Sequence, residues 1–145
     1  MPFRATPNRL WAEPPTLEAL NALHPGTLGE VTGMRFTDVG DDFLRLSLPV
    51  DARTKQPTGL LHGGASATLV ETVGSVASHL VAAARGRAAV GTELSCSHIR
   101  SARDGQVHGV CRALRIGGRA HVWEVRITDD AGELICVGRL TTMVV

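Results

Sequence analysis

The 145-residue sequence predicts an α+β domain, with one long buried helix set against an antiparallel sheet of five to six strands. Three observations lead there. A single stretch, from about Gly63 to Arg85, is long and apolar enough for a buried helix. The residues after it alternate polar and apolar with strand periodicity and are broken by short turns. No strand after that helix is followed by another helix, so the strands join as hairpins and the sheet is antiparallel.

The elements follow in order. Residues 1–15 hold Pro2, Pro7, Pro14 and Pro15 and read as an extended arm. The single domain runs from Thr16 to Val145. Thr16–Leu23 reads as a short helix: Thr16 can cap it, Glu18 suits the first turn, and Leu17, Leu20 and Leu23 share a face. Pro25-Gly26 ends it. Arg35–Val39 and Phe43–Val50 read as strands around the turn Gly40-Asp41-Asp42. Residues 51–61 form a loop, the long helix follows, and Gly86 ends it. Four strands complete the chain: Ala88–Arg100, Val107–Leu114, His121–Thr128 and Leu134–Val145. In the third of these Trp123, Val125 and Ile127 alternate with Glu124, Arg126 and Thr128, and Asp129–Gly132 makes the turn to the last. One helix cannot cover both faces of such a sheet, so the other face or an edge is expected to meet a second subunit.

Composition narrows the function. Fifteen Lys and Arg stand against 14 Asp and Glu, a formal charge of +1, which argues against a nucleic-acid or membrane-surface binder. Three Phe, two Trp and no Tyr leave little for base stacking. Cys96, Cys111 and Cys136 are odd in number and form no C-x-x-C, so three packed thiols are expected rather than disulfides or a metal site. With no signal-peptide core and no apolar run of membrane-spanning length, the expected compartment is the cytoplasm.

Two regions hold candidate chemistry. Gly59-Leu60-Leu61-His62-Gly63-Gly64 runs straight into the long helix, whose first N–H groups lack intrahelical partners and can stabilise a carbonyl oxygen that gains charge. Glu71 is the only carboxylate between Asp51 and Glu93 and lies two turns into an otherwise apolar helix. A lone acid there is paired, exposed on an open face, or used. Downstream, Arg100, Arg103, Arg112, Arg115, Arg119 and Arg126 face only Asp104 and Glu124. They suit phosphate, with Gly117-Gly118 as an anion-cradling turn, or else form a solvated strand face. His24, His79, His108 and His121 read as structural or surface residues. Ser66 fails the G-x-S-x-G pattern, and no P-loop or dinucleotide fingerprint occurs.

The run Pro57-Thr58-Gly59-Leu60-Leu61-His62-Gly63-Gly64-Ala65, then Glu71, then Gly74-Ser75-Val76-Ala77, resembles the hotdog-fold acyl-CoA thioesterases. The branch is the one with a helix-borne glutamate, which includes phenylacetate-pathway and 4-hydroxybenzoyl-CoA thioesterases. Thr16–Leu23, Pro49–Gln56, His98–Arg103 and Arg139–Thr142 extend the likeness, toward the 1,4-dihydroxy-2-naphthoyl-CoA thioesterases, over nearly the whole chain from Thr16.

The resemblance implies a hotdog fold, its helix wrapped by the sheet and its sheet continued in a dimer that commonly pairs into a tetramer. It implies a site between subunits, with Gln56, His62 and Gly63 from one chain and Glu71 from the other. Gly63 N–H would polarise the thioester carbonyl, His62 and Gln56 would orient the reactants, and Glu71 would be nucleophile or general base. Ser75 would hold a water or an acyl hydroxyl. CoA contacts carry over to Gly91, to His98, Ile99, Arg100 and Ser101, and to Arg115, Ile116, Gly117, Gly118, Arg119 and Ala120. No metal or separate cofactor is implied, since CoA is part of the substrate. Thr58 stands where similar enzymes often have an aromatic residue, and no Asn occurs near Ser95 or Ser97; both departures bear on the acyl group. The expected activity is hydrolysis of an aromatic or bulky acyl-CoA. The alternatives are proofreading of misacylated carrier protein and a non-catalytic acyl-CoA-binding module. A non-catalytic module should lack the helix acid and carry a DNA-binding extension. A dehydratase lacks its His-and-acid pattern here.

Overall fold

The computed structural model describes residues 9–145; most of the arm, residues 1–8, lies outside them. The elements are α1 (Leu17–Asn21), α2 (Leu28–Thr32), β1 (Arg35–Val39), β2 (Phe43–Pro49), α3 (Gly63–Ala83), β3 (Ala89–His98), β4 (Gln106–Ile116), β5 (Ala120–Asp129) and β6 (Leu134–Val144). The six strands form one antiparallel sheet in the order β1-β2-β4-β5-β6-β3. This is the predicted α+β hotdog architecture, with β1 and β3 as its edges.

Thr16 caps α1 as expected, its Oγ1 accepting from Ala19 N at 3.1 Å, but the helix stops at Asn21 rather than Leu23. The sequence reading has no counterpart for α2. Thr27 caps it, and Gly33 closes it with φ 76°, a left-handed conformation that glycine adopts without steric cost. Ahead of these, Trp11 is 4% exposed within the core, its indole N–H donating to the Gly40 carbonyl at 2.8 Å.

Helix α3 crosses the inner face of the sheet. Rows such as Leu44–Cys111–Val125–Gly138–Cys96 run across the strands beneath it. A Cβ on Gly109 would lie 2.2 Å from Leu69, and one on Gly138 2.5 Å from Val70, so these glycines let the helix approach closely. The apolar circumference of α3 predicts burial all round. Instead only Ser66, Leu69, Val70, Val73, Gly74, Ala77, Ser78 and Ala82 are buried, because the single sheet covers one side of the helix. Val76, Leu80 and Val81 on the rest remain half-buried. Cys111 and Cys136 are buried thiols and Cys96 is half-buried; burial chiefly pushes Cys136 up to about 12.

Two of the histidines are structural. His121, 2% exposed, bonds through Nδ1 to Ser78 Oγ at 2.6 Å, and Ser78 Oγ meets Thr142 Oγ1 at 2.6 Å. His24 is 8% exposed and stacks on Phe36. Burial lowers the pKa of both, and the charge of Arg35 near His24 and of Arg85 near His121 adds to it. Both therefore hold a proton less readily in the fold than in the unfolded chain, which protonates them at about pH 6.5. Their contribution to stability is complete above that pH and falls as pH drops toward the folded values. Urea midpoints are expected to fall between about pH 7.5 and 5.5, with a smaller fall in His121→Gln, because that variant no longer has this histidine to titrate.

Candidate active site

The segment before α3 is a tight excursion. Lys55 bridges to Leu61, Gln56 N donates to Leu60 O at 2.8 Å, and His62 N donates to Thr54 O at 2.8 Å. This delivers His62 as the N-cap of α3, with Nδ1 accepting from Gly64 N at 2.7 Å. The neutral ring therefore carries its proton on Nε2, which is left free to donate. Gly63 is the first helical residue, and its N–H has no hydrogen-bond partner among the described residues. It carries the positive end of the helix dipole.

That free amide opens into a cleft of about 290 Å³. Gln56, Leu60, Leu61 and Ser66 line it on one side and His98–Ala102 with Ile135 on the other. Gln56 Oε1 accepts from the Thr58 amide and from Thr58 Oγ1 at 2.8 Å, which leaves the amide NH₂ as the side chain's free end. The His98 ring lies against Gly63, where an added Cβ would come within 2.8 Å of Nε2. Arg100 pairs with Glu133 at 3.4 Å, both well exposed, a contact worth at most about 1 kcal/mol. Gln56, Gly63, His98, Ile99, Arg100 and Ser101 thus meet within one chain.

Glu71 is elsewhere. Its carboxylate reaches edge strand β3, where an added Cβ on Gly91 would lie 2.2 Å from Oε1. Ser75, one turn on, donates to Oε1 at 3.2 Å. Glu71 is half-buried and joins none of the ion pairs among the described residues. The eight-residue spacing puts Glu71 about 12 Å along the helix from Gly63, outside the cleft.

The third group is the β4–β5 turn. Gly117 N donates to Ala120 O at 2.9 Å, a turn so tight that a Cβ on Gly117 would lie 2.8 Å from that oxygen. Gly117 and Gly118 lie beside Ala82 and Arg85, at the far end of α3 from Gly63. The arginines grouped in the sequence are therefore dispersed. Arg112 pairs with Asp42 over the Phe43 ring, Arg126 lies 3.8 Å from Glu124, and Arg115 and Arg119 flank the turn. For Arg112 and Arg126 the solvated-face reading holds. Sequence reasoning did not single out Ala102 or Ile135 as cleft residues; both are small or apolar and carry no chemical signal.

Residues 58–136 match the family model described as thioesterase superfamily. The chain belongs to the thioesterase superfamily. It is a thioester hydrolase. It is 48% identical over 135 residues to the 1,4-dihydroxy-2-naphthoyl-CoA hydrolase of Escherichia coli K12, covering 93% of this chain and 98% of the relative. To the proofreading thioesterase EntH of Cronobacter turicensis it is 50% identical with the same coverage. Among solved structures, a mutant of thioesterase PA1618 from Pseudomonas aeruginosa superposes with a TM-score of 0.91 at 44% identity. That superposition covers 94% of this chain and 98% of the other.

Proposed function

We propose that this thioesterase hydrolyses an acyl-CoA with an aromatic or otherwise bulky acyl group, at sites shared between two copies of the chain. The unpaired Gly63 N–H in the cleft is the observation that carries this reading. It is an oriented donor with no other partner among the described residues, placed where a thioester oxygen gains charge. Within one chain it has no carboxylate beside it. Glu71 sits on the open β3 edge, so two chains paired along that edge would bring Glu71 of one toward Gly63 of the other.

The chemistry then follows. Water attacks the carbonyl carbon and gives its proton to Glu71, or a Glu71 oxygen attacks first and water cleaves the resulting anhydride. In both routes the C–S bond breaks, CoA leaves as a thiolate that is then protonated, and the free acid remains. Gly63 N–H stabilises the oxyanion, His62 and the Gln56 NH₂ orient the reactants, and Ser75 fixes Glu71. His98, Ile99, Arg100 and Ser101 hold CoA on one chain. The turn Arg115–Ala120 lies at the other end of α3, so it and Gly91 serve the site of the second chain. CoA is part of the substrate and no further cofactor is required. We place the protein in the cytoplasm; no helix among the described residues is long and apolar enough to cross a membrane.

The relative named for 1,4-dihydroxy-2-naphthoyl-CoA and the apolar cleft residues Leu60, Leu61 and Ile135 support a bulky acyl group. The proofreading relative supports a second reading, hydrolysis of misacylated carrier protein. Thiol release from matched acyl-CoA and acyl-carrier substrates separates the two: kcat/KM is expected to favour the CoA esters, aromatic over straight-chain. The shared site also requires a dimer or a dimer of dimers. Sedimentation at micromolar concentration is expected to show no monomer, and an active, stable monomer would sink the shared site.

A further inference from the structure

A second cleft, of about 230 Å³, lies at the C-terminal end of α3. Arg85, Arg87, Gly117, Gly118 and His121 line it, over an apolar floor that includes Val81. We propose that Arg85 and Arg87, together with the free backbone N–H of Gly118, bind the phosphate groups of the CoA nucleotide. This rests on the acyl-CoA reading above and adds two residues that the sequence pattern did not single out.

Neither arginine pairs with an Asp or Glu among the described residues. In this they differ from Arg53, Arg100, Arg112 and Arg126, each of which has an acidic neighbour. Arg87 Nε donates to the Val145 carbonyl at 3.1 Å, which anchors the side chain and leaves its terminal nitrogens free. Gly118 N–H has no partner within the described residues, and an added Cβ there would meet nothing within 4 Å, so a ligand can reach the backbone. No acidic side chain lines the cleft. The buried His121 ring is held neutral by its surroundings, so the positive charge comes from the two guanidiniums. The Arg85 fork and the free terminal nitrogens of Arg87, beside a free amide, match a phosphate monoester better than a single carboxylate, which one fork already satisfies. The apolar floor suits the nucleoside face next to it.

Position agrees with this. Ala82, at this cleft, is about 28 Å along the helix from Gly63. A nucleotide bound here therefore belongs to a thioester cleaved at the Gly63 of another copy, as the shared site requires.

The test combines direct binding with kinetics. Calorimetry of adenosine 3′,5′-bisphosphate is expected to show Arg85→Ala/Arg87→Ala weakened by about ten- to a hundred-fold, the loss expected for charged hydrogen bonds. Arg85→Lys/Arg87→Lys should fall between, because the charge stays and the fork goes. The KM of the Ala variant for a CoA thioester should rise at least about ten-fold relative to its KM for the matching N-acetylcysteamine thioester. Arg126→Ala, on a distant strand, should match wild type in both measurements. If the Ala variant loses melting temperature but keeps bisphosphate affinity, the arginines serve the helix end instead and the proposal is overturned. Undetectable bisphosphate binding by wild type overturns it as well. If wild type binds the bisphosphate through these arginines yet cleaves no CoA thioester, the phosphate site stands and the acyl-CoA reading fails.

Discussion

Glu71→Ala and Glu71→Gln are expected to lower kcat by about 10²–10⁴-fold, the range for loss of a positioned base, and by more if Glu71 is the nucleophile. Glu71 is the only acid between Asp51 and Glu93, and it has no cationic partner among the described residues that would make it a structural ion-pair member. It is held by one hydroxyl, Ser75 Oγ, and lies flat against a glycine backbone. That contact gives a second, independent probe. Gly91→Ala would place a methyl 2.2 Å from Oε1 and force the carboxylate to turn away. A loss of kcat in Gly91→Ala, with the carboxylate chemically intact and CoA affinity unchanged by calorimetry, shows that its orientation matters and not merely its presence. Glu71→Asp should retain a small residue of activity. The readouts are kcat on the best thioester and the oligomeric state by sedimentation. A well-folded Glu71→Ala oligomer that keeps more than about a tenth of wild-type kcat, against the loss expected of a base, removes Glu71 from the mechanism.

Residues with a strong local pattern were legible in the sequence. β1 matches its expected bounds, Arg35–Val39, because a turn follows it directly. β4 and β5 run longer than expected, through Ile116 and from Ala120, because backbone hydrogen bonds continue the hairpin past the residues with a side-chain signal. Helix α2 left no periodic trace: five residues make barely more than one turn, and the capping residues Thr27 and Gly33 are common in loops. At the site, the Gly59–Gly64 stretch stood out because glycines before a helix have a specific structural use, whereas Gln56 was reached only through the family resemblance. The grouping of the arginines did not survive folding, since alternation along the strands and one turn send them to different faces and ends. Arg85 and Arg87 were invisible for a related reason. The turn they face comes some thirty residues later, and only β4, β5 and the end of α3 bring them together.

Gly63→Pro is expected to cost about 10²–10³-fold in kcat, the usual loss of one oxyanion donor, while Gly63→Ala costs much less. Normally a backbone N–H cannot be deleted by mutation without wrecking the element that holds it. Here the geometry allows it. Gly63 is the first residue of α3, the helical position where proline is best tolerated, because the N–H there has no intrahelical partner. The preceding residue must be extended, and His62 already is, with φ −66° and ψ 130°. The His62 cap to Gly64 N involves neither Gly63 N–H nor its carbonyl, so it persists. Both substitutions introduce a Cβ near His98 Nε2, at 2.8 Å, and the exposed His98 ring must shift in each. Alanine therefore controls for that displacement, and the difference between the two variants reports the loss of the amide proton together with the ring carbon that takes its place. Circular dichroism should show α3 intact in both. If the proline and alanine variants turn over at the same rate, the Gly63 N–H does not stabilise the transition state. The oxyanion donor would then have to be sought in the Gln56 NH₂ or the His62 Nε2–H.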